Sequence, residues 1–422
     1  MAAQMNKCFW VGLLAVAQAA FFSGCSAQTK SSAVPMPAST QPDLGPARPR
    51  RALAGWSPAT ADVHADPKAL AALTSVQQQF GPDPHMAIFT VAIARASGHS
   101  LTLTGEVDRA EAAVASSNAL RDAGFQVKSE ISVLPSPTVA AQPWGLACLS
   151  ATTGREQPDH RAEMGTQILM GQRVRIWKGT SHWLYVQSPD GYLSWVENGG
   201  IARCNLEEAE AWDGSPLLMV TAFETRLLDK PNGSGESVSD LVMGDLVKVK
   251  EKQDGWVKVE LPDKRDGFVR ADDVQDYATW KSSRKLTPEN IEATARLFLG
   301  RPYLWGGACP KGVDCSGFVK LVFFLNGMEL NRNASEQARQ GHPIELDPDY
   351  SALKKGDLLF FGWPGRGHQP EWITHVAIYL GNKTFIQSSE RVRVSSLDPD
   401  SPNYDPHHGR NLLRARRVLR GD

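Results

Sequence analysis

The side chains best suited to chemistry in this chain surround one cysteine. Asp314-Cys315-Ser316-Gly317 follows a glycine-rich loop and opens the apolar run 318–325, which Gly327 ends. That order predicts a loop, an N-cap at Asp314 and a helix whose first turn carries Cys315. Because the unpaired N–H groups of a helix N-terminus favour negative charge, we expect the thiol to be polarised toward thiolate. A small buried core cysteine is the alternative.

A cysteine nucleophile requires a base and a third polar group that orients the base. His375 starts an alternating run, and Gln387 follows it beyond a turn near Gly381. An antiparallel hairpin that turns at residue 381 places these two side chains opposite each other on one face. A one-residue change of register would separate them. The sequence therefore predicts that His375 and Gln387 touch, with a purely structural histidine as the alternative.

The remaining histidines and the cysteine spacing give weaker signals. His368 lies in a Gly/Pro-rich loop, and the pair His407-His408 lies in an irregular tail. The sequence contains no Cys-x-x-Cys or His-x-x-x-His spacing, so we expect no metal and no cofactor.

If the protein is exported, as the N-terminal sequence described below indicates, its cysteines could form disulfides. Cys148 and Cys204 bracket one candidate domain, and a bridge between them is one option. Cys309 lies close to Cys315 in sequence, and pairing them would block the proposed nucleophile. We expect both of these thiols to be reduced.

The composition bounds the class of protein. The chain has 422 residues, 42% hydrophobic and 22% charged, with a formal net charge of −1. This length accommodates about two to four domains. A near-neutral charge without a basic block argues against a nucleic-acid partner.

The N-terminus is typical of an export signal. Lys7 precedes the apolar stretch 9–22, which is too short to span a membrane comfortably. Phe22-Ser23-Gly24-Cys25 then resembles a bacterial lipobox, in which the cysteine carries a lipid. We expect an exported protein of the periplasm or cell envelope, lipid-anchored through Cys25. Ordinary secretion and an inner-membrane anchor remain open.

The rest of the chain is predicted to be multidomain. Residues 168–176 and 241–249 repeat a Met-Gly step, and each copy continues to a Trp strand and an Asp-Gly turn. Such punctuation predicts two small antiparallel β-barrels, which resemble bacterial SH3 modules. The preceding small α+β unit shows no convergent polar cluster, so we assign it a packing or positioning role. The boundaries are a signal peptide at 1–24, a disordered tether at 25–65, the α+β unit at 66–138, SH3-like modules at 139–206 and 207–280, and a C-terminal α+β domain at 281–422.

The C-terminal domain resembles the NlpC-type cell-wall cysteine peptidases, which have a papain-like fold. The α+β unit, the two SH3-like modules and this domain together resemble the YkfC-like γ-D-glutamyl-L-diamino-acid endopeptidases, so the resemblance covers most of the ordered chain. The motifs that carry the resemblance are Pro302-Tyr303-Leu304-Trp305-Gly306-Gly307, Asp314-Cys315-Ser316-Gly317-Phe318, Lys355-Gly356-Asp357-Leu358 and His375-Val376-Ala377-Ile378-Tyr379-Leu380-Gly381.

The resemblance implies a role for each matching residue. Cys315 would be the nucleophile, His375 the base, and Gln387 the orienting group at a position that is often His. Tyr303 would help to bind the oxyanion. The substrate-binding positions would include Trp305, Asp314 and Ser316, although capping explains Asp314 equally well.

Two further features concern the substrate. In the YkfC-like group the first SH3 module holds the amine of an N-terminal L-Ala with an acidic residue and a tyrosine, for which Glu163 and Tyr192 are the nearest counterparts. A solvated glutamate and a core tyrosine are the alternative. Asn333 stands where the family often has a substrate-contacting Asp, which leaves open how the substrate is held.

These features predict an exported cysteine endopeptidase that hydrolyses the γ-D-glutamyl–diamino acid amide of peptidoglycan stem peptides with a free L-Ala end. The alternatives are a wall-binding scaffold lipoprotein without turnover and an acyl-transferring enzyme. The preferred diamino acid and the oligomeric state stay open.

Overall fold

The computed structural model describes residues 66–365, 367 and 370–419. The predicted signal peptide, the lipobox cysteine Cys25 and the tether lie outside this range, as does His368. Among the described residues, no helix is both long and apolar enough to cross a membrane.

The first unit is a three-stranded sheet covered by two helices, as the sequence predicts. The N-cap Asp66 accepts a hydrogen bond from the Lys68 backbone and begins the first helix. Residues 86–91, which precede the first strand, form a turn and an isolated bridge between Phe89 and Val107. The second strand pairs antiparallel with the first and parallel with the third. The elements are α1 (Pro67–Phe80), β1 (Ala92–Ser97), β2 (Ser100–Val107), α2 (Ala110–Asp122) and β3 (Gln126–Val133).

Two small β-barrel modules follow, as predicted from the repeat. Each is a seven-stranded sheet, in the order β10-β4-β7-β8-β9-β5-β6 for the first and β13-β12-β16-β15-β14-β11-β17 for the second. The first contains β4 (Trp144–Ala147), β5 (Ala151–Arg155), β6 (Met164–Leu169), β7 (Arg173–Gly179), β8 (Trp183–Gln187), β9 (Leu193–Glu197), β10 (Ile201–Cys204) and α3 (Leu206–Asp213). The second contains β11 (Leu217–Val220), β12 (Glu224–Leu228), β13 (Ser237–Val242), β14 (Leu246–Gln253), β15 (Trp256–Glu260), β16 (Asp266–Arg270), β17 (Val274–Asp276) and α4 (Tyr277–Ser283).

The repeated Met-Gly turns join the two modules. Asp245 is fully buried and accepts hydrogen bonds from the backbone N–H of Met170 at 3.0 Å and of Val242 at 2.8 Å. Gly171 has a φ of +80°, and a Cβ there would lie 2.6 Å from the carbonyl oxygen of Leu246. The repeated turns of the two modules therefore contact each other and form part of the interface between the modules.

The C-terminal domain packs its central helix against a six-stranded sheet of order β20-β25-β21-β22-β23-β24. Thr287 caps the first helix of this domain and Pro288 occupies its first turn. The helices are α5 (Pro288–Arg296), α6 (Cys315–Phe324), α7 (Ala334–Gln337) and α8 (Pro406–Arg410). The strands are β18 (Ala308–Cys309), β19 (Gly312–Val313), β20 (His342–Ile344), β21 (Leu358–Trp363), β22 (Trp372–Gly381), β23 (Thr384–Ser389), β24 (Arg391–Ser396) and β25 (Leu412–Arg417).

One hydrophobic core runs through the C-terminal domain and both barrels. It includes Leu169 of the first module, Val242 of the second and Phe318 of α6. Where the loop before α6 meets the first module, Gly306 has a φ of +77°, and a Cβ there would lie 2.2 Å from the Met164 carbonyl oxygen. This continuous packing positions the first module beside the predicted nucleophile.

Candidate active site

Cys315 begins α6, as the sequence predicts. The Asp314 carboxylate accepts a hydrogen bond of 2.7 Å from the Gly317 backbone, which is the predicted N-cap. A Cβ at Gly317 would lie 2.0 Å from the carbonyl oxygen of Gly307, so only glycine fits where this turn touches the preceding loop. The thiol lies against the backbone N–H of Val376, the residue after His375.

The expected polarisation toward thiolate is wrong for this geometry. Cys315 is only 8% exposed, and burial raises the pKa of its thiol to about 12, with the Asp314 charge acting in the same direction. The Val376 and Ser316 backbones and the Arg332 guanidinium act to lower that pKa but do not outweigh burial. The alternative of a buried cysteine is thus correct as to burial, and the resting sulfur is a neutral thiol.

His375 and Gln387 touch, as predicted, but in a different register. The His375 Nε2 atom lies 2.7 Å from the Gln387 Oε1 atom. The strands pair Ile378 with Ile386, so the hairpin turns at Asn382-Lys383, which both have positive φ. Because this register differs from the predicted one by two residues, both side chains stay on the same face, and His375 reaches Gln387 diagonally.

The surroundings of Gln387 fix the orientation of its amide. Its Nε2 group donates to the Ser395 hydroxyl at 2.9 Å and to the Asp405 carboxylate at 3.0 Å. A carboxylate can only accept, so the amide oxygen must face His375. His375 therefore carries its proton on Nε2 and donates it to Gln387, which leaves Nδ1 as the acceptor available to a nucleophile.

Asp405 and His408 form a layer behind this pair that the sequence prediction missed. The pair His407-His408 does not lie in an irregular tail, since α8 includes both residues. The Asp405 carboxylate caps α8 and lies 2.8 Å from the His408 Nδ1 atom. The His408 and His375 ring centroids are 4.4 Å apart. Asp405 followed by Pro406 is an N-cap signal, and it could have revealed this helix.

The same layer controls the charge on His375. Burial foremost, and then the neighbouring His408, lowers the pKa of His375 to about 3. Burial acts to raise the pKa of Asp405, but the hydrogen bond and charge of His408 outweigh it and hold that pKa below its ordinary value. The neutral imidazole of His375 and the ionised carboxylate of Asp405 are therefore separated by one amide, that of Gln387.

Two predicted substrate-binding residues are engaged within the protein. Asp314 forms a bidentate ion pair with Arg332, at 3.1 and 2.5 Å, and Arg332 is 1% exposed. The Ser316 hydroxyl donates to Asp314 and accepts from Arg332 at 3.0 Å. Arg332 Nε also donates to Thr166 of the first barrel at 3.2 Å. These contacts match the capping alternative for Asp314 and link the nucleophile helix to the barrel.

Tyr303 and Trp305 lie on the loop that leads to Cys315. Tyr303 forms a parallel bridge with Val313, and its backbone N–H donates to the Glu390 carbonyl at 2.9 Å. The Trp305 indole donates to the Glu163 carboxylate at 2.7 Å. Glu163 of the first barrel thus contacts the loop beside Cys315.

The carboxylate beside Tyr192 is that of Glu156. The Tyr192 hydroxyl donates to it at 2.9 Å, and a Cβ at Gly165 would collide with both groups. The Tyr192 ring also stacks on His85 of the α+β unit, with centroids 5.2 Å apart. The α+β unit, to which we assigned a packing or positioning role, thus also contributes a histidine to the surroundings of Tyr192.

Asn333 contacts Glu336, a residue that lies near His85. Its backbone N–H and its side-chain amide donate to Glu336 at 3.1 and 2.9 Å. Although Asn333 has no carboxylate, Glu336 therefore supplies one a single helical turn further on. Within the described residues, one His/carboxylate group, Asp83, His85 and Glu336, brings ligand-type atoms within 4.8 Å of one another. Arg339 lies 3.5 Å from Asp83, so protein groups already compensate these charges, and we assign no metal to this cluster.

The cysteines predicted as a possible disulfide are both free and buried. Cys148 donates from its sulfur to the Gly199 carbonyl at 3.3 Å. Burial raises the pKa of Cys148 and of Cys204 to about 11, so both are unreactive thiols. Cys309 and Cys315 are also free, as expected.

Comparisons with known proteins match the two barrel modules and the C-terminal domain. The NlpC/P60 family model matches residues 300–410, the bacterial dipeptidyl-peptidase Sh3 domain 154–201, and the bacterial SH3 domain 225–275. A gamma-D-glutamyl-L-lysine dipeptidyl-peptidase of Bacillus subtilis is 32% identical over 53% of this chain and 71% of its own length. Dipeptidyl-peptidase 6 of Lysinibacillus sphaericus is 28% identical over 59% and 89%. The crystal structure of an NlpC/P60 family protein from Bacillus cereus shares the fold, with 22% identity, a TM-score of 0.55 and coverage of 66% of this chain and 100% of that one.

Proposed function

This chain belongs to the NlpC/P60 family of cell-wall cysteine peptidases, and from that membership we propose that it hydrolyses the γ-D-glutamyl–diamino acid amide of peptidoglycan stem peptides whose N-terminal L-Ala is free. One observation carries the chemistry. The His375 imidazole, held by Gln387 at 2.7 Å, directly precedes the residue whose backbone N–H meets the Cys315 thiol. The family assignment disfavours the alternative of a scaffold without turnover.

In the proposed reaction the Cys315 sulfur attacks the carbonyl carbon of the γ-glutamyl amide. Its proton passes to Nδ1 of His375, which then donates it to the departing amine of the diamino acid. A thioester between Cys315 and the γ-glutamyl carbonyl remains, and a water molecule activated by His375 hydrolyses it. Gln387 holds the tautomer that this sequence of steps requires. The Cys315 backbone N–H and Tyr303 are our candidates for the oxyanion donors.

The proposed preference for a free amino end rests on the first barrel. A buried ammonium needs a paired carboxylate, and the Glu156–Tyr192 pair supplies one that Gly165 leaves room for. Glu163, the carboxylate first considered for this role, contacts Trp305. Two relatives are γ-D-glutamyl-L-lysine dipeptidyl-peptidases, which supports the choice of the same bond.

We also propose that the enzyme acts outside the cytoplasm, anchored by a lipid on Cys25. The lipobox-like sequence and the cell-wall substrate support this location. A membrane-fraction assay would test it. Cys25→Ser should move the protein from the membrane fraction to the soluble fraction, and an unchanged distribution would contradict the lipid anchor.

Mass spectrometry of defined peptides tests the activity. The wild-type enzyme should convert L-Ala-γ-D-Glu-diamino acid to L-Ala-D-Glu and the free diamino acid, and Cys315→Ala should abolish this conversion. Glu156→Gln should raise the KM for the free-amine peptide, whereas the matched control Glu163→Gln should change that KM less. Hydrolysis that survives Cys315→Ala would refute the mechanism, and equal cleavage of the N-acetylated peptide would refute the amine preference.

A further inference from the structure

The α+β unit places one short turn against the Glu156–Tyr192 pair. The turn spans residues 83–86, between α1 and β1. The His85 ring lies nearly parallel to the Tyr192 ring, with an angle of 13° between the planes. The His85 Nε2 atom lies 3.8 Å from the carboxylate of Glu156, the group proposed above to receive the substrate ammonium.

Backbone and side-chain contacts hold this turn in place. The Leu193 backbone N–H donates to the His85 carbonyl at 2.7 Å, and the Gln187 side chain donates to the Met86 carbonyl at 3.0 Å. Just beyond the turn, Ile88 is buried in a small apolar cluster shared with the barrel. The position of His85 is therefore set by the docking of two modules rather than by a mobile surface loop.

The charged groups that face His85 come from all three surrounding modules. Asp83 of its own turn lies 3.4 Å from the His85 Nδ1 atom, and Glu156 of the barrel faces Nε2. Glu336 of the C-terminal domain completes the set, since all three carboxylates act on His85. Arg339 lies 3.5 Å from the Asp83 Oδ2 atom, whereas His85 Nδ1 lies close to Oδ1.

These carboxylates favour a protonated ring. Burial acts to lower the pKa of His85, but the Asp83 hydrogen bond and the charges of Glu156 and Glu336 outweigh it and raise that pKa. Burial acts to raise the pKa of Asp83, but its contacts with His85 and the Arg339 charge lower it. Burial raises the pKa of Glu336. His85 therefore keeps its proton to a higher pH than an unperturbed imidazole, beside the carboxylate that a substrate ammonium would need.

We propose that His85 is a specificity-determining residue of the amine subsite, contributed by the α+β unit, and that its imidazolium competes with the substrate's ammonium for Glu156. Binding of a free amino end then displaces a proton from His85, because two cations cannot share one carboxylate at little cost. This inference rests on the proposed function for the identity of the ligand.

Isothermal titration calorimetry with the dipeptide L-Ala-γ-D-Glu tests the proposal independently of turnover. In buffers of different ionisation enthalpy, the wild-type enzyme should release a proton on binding near pH 6.5. Its Kd should fall roughly tenfold between pH 5.5 and 7.5. At the lower pH the positive charge of His85 lies beside the same carboxylate and weakens binding of the ammonium by a factor of about that order. This range stays below the pKa of the peptide amine, about 7.7–8.0.

In His85→Gln the proton release and the pH dependence of Kd should both disappear. The matched control His99→Gln removes an exposed histidine of the same unit and should behave as wild type. Asp83→Asn should shift the transition in Kd to lower pH, which keeps the test decisive if His85→Gln does not fold. The N-acetylated dipeptide should show no pH dependence attributable to His85.

Unchanged proton release in His85→Gln would overturn the proposal, and so would an equal pH dependence for the N-acetylated dipeptide. These outcomes are distinct from failure of the proposed function. That function fails if the wild-type enzyme does not hydrolyse the tripeptide, whatever the calorimetry shows. The competition fails if hydrolysis is intact but binding displaces no proton.

Discussion

The substitution Gln387→Glu tests the layer behind the predicted base most directly. The introduced carboxyl has nearly the shape of the native amide. When it is neutral it can accept from His375 Nε2 and donate its own proton to Asp405, which reproduces the native contacts with these two residues. When it is ionised, its second oxygen faces the Asp405 carboxylate. We therefore expect the variant to fold well at low pH and to lose stability as the pH rises.

The structure sets the size of the effect. The Gln387 Nε2 atom is 3.0 Å from the Asp405 Oδ2 atom, so two carboxylate oxygens would meet at that separation. At an effective dielectric constant of about 20, this repulsion amounts to about 5 kcal/mol, or about 4 pKa units. Arg393 at 3.4 Å and His408 at 2.8 Å already offset part of the Asp405 charge. We take about 2.5 units as the net shift, so the introduced carboxyl should titrate near pH 7 in the folded protein.

The sign follows from proton binding. Between about pH 4.3 and pH 7 the unfolded variant has lost this proton and the folded variant has kept it. The free energy of unfolding should therefore fall by about 1.4 kcal/mol per pH unit relative to wild type, for a total of about 3 kcal/mol, and then level off. Below pH 4.3 the variant and the wild type should differ little.

Urea denaturation at a series of pH values measures this difference, with the m-value showing whether the extent of unfolding is the same. Adding Asp405→Asn to Gln387→Glu should make the slope shallower, because the repelling charge is gone and only burial of residue 387 still raises the pKa of the introduced carboxyl. Gln387→Met is the matched control, since it loses the hydrogen bonds equally at every pH. Parallel stability curves for wild type and Gln387→Glu between pH 5 and 8 would refute the placement of Asp405 beside this amide.

Two further predictions concern buried charges. Arg332→Met leaves the Asp314 carboxylate buried and unpaired, so the free energy of unfolding should fall by about 3–5 kcal/mol. Chemical denaturation should show a smaller fall for the double variant Arg332→Met/Asp314→Asn, because no unpaired charge then remains buried. His375→Gln should remove one component of acid destabilisation: because burial lowers the pKa of His375 from 6.5 to about 3, native stability is complete above pH 6.5 and falls by about 1.4 kcal/mol per unit below it. An unaltered slope between pH 6.5 and 4 in His375→Gln would contradict this assignment.

The sequence identified the elements that local signals specify. The Asp314 cap, the Thr287-Pro288 helix start and the repeated Met-Gly turns each lie where residue types predict them. The family resemblance drawn from the motifs is confirmed by the matches to the NlpC/P60 and SH3 models. The hairpin register was wrong by two residues, because two consecutive positive-φ residues, Asn382 and Lys383, moved the turn beyond Gly381.

The contacts between modules were beyond the reach of sequence patterns. Glu156 and Glu163 are both acidic residues near the same two strands, and only the folded barrel shows which one meets Tyr192. His85 lies in a turn whose polar residues read as an ordinary surface loop. The pKa of Cys315 likewise depends on burial by elements far along the chain, which outweighs the favourable helix terminus that the sequence revealed.

The neutral resting state of the Cys315–His375 pair has a consequence for the order of the reaction. Burial raises the pKa of the thiol and lowers that of the imidazole, so proton transfer before attack would create two separated charges where burial disfavours charge on both groups. Transfer during attack avoids this, because the developing charge then moves to the substrate oxygen, where hydrogen-bond donors can stabilise it. In the reaction we propose, Asp405 would stabilise the imidazolium through one intervening amide, without an adjacent charge that would hold the proton afterwards. A neutral glutamine backed by a carboxylate thus suits a base that must both accept and return its proton.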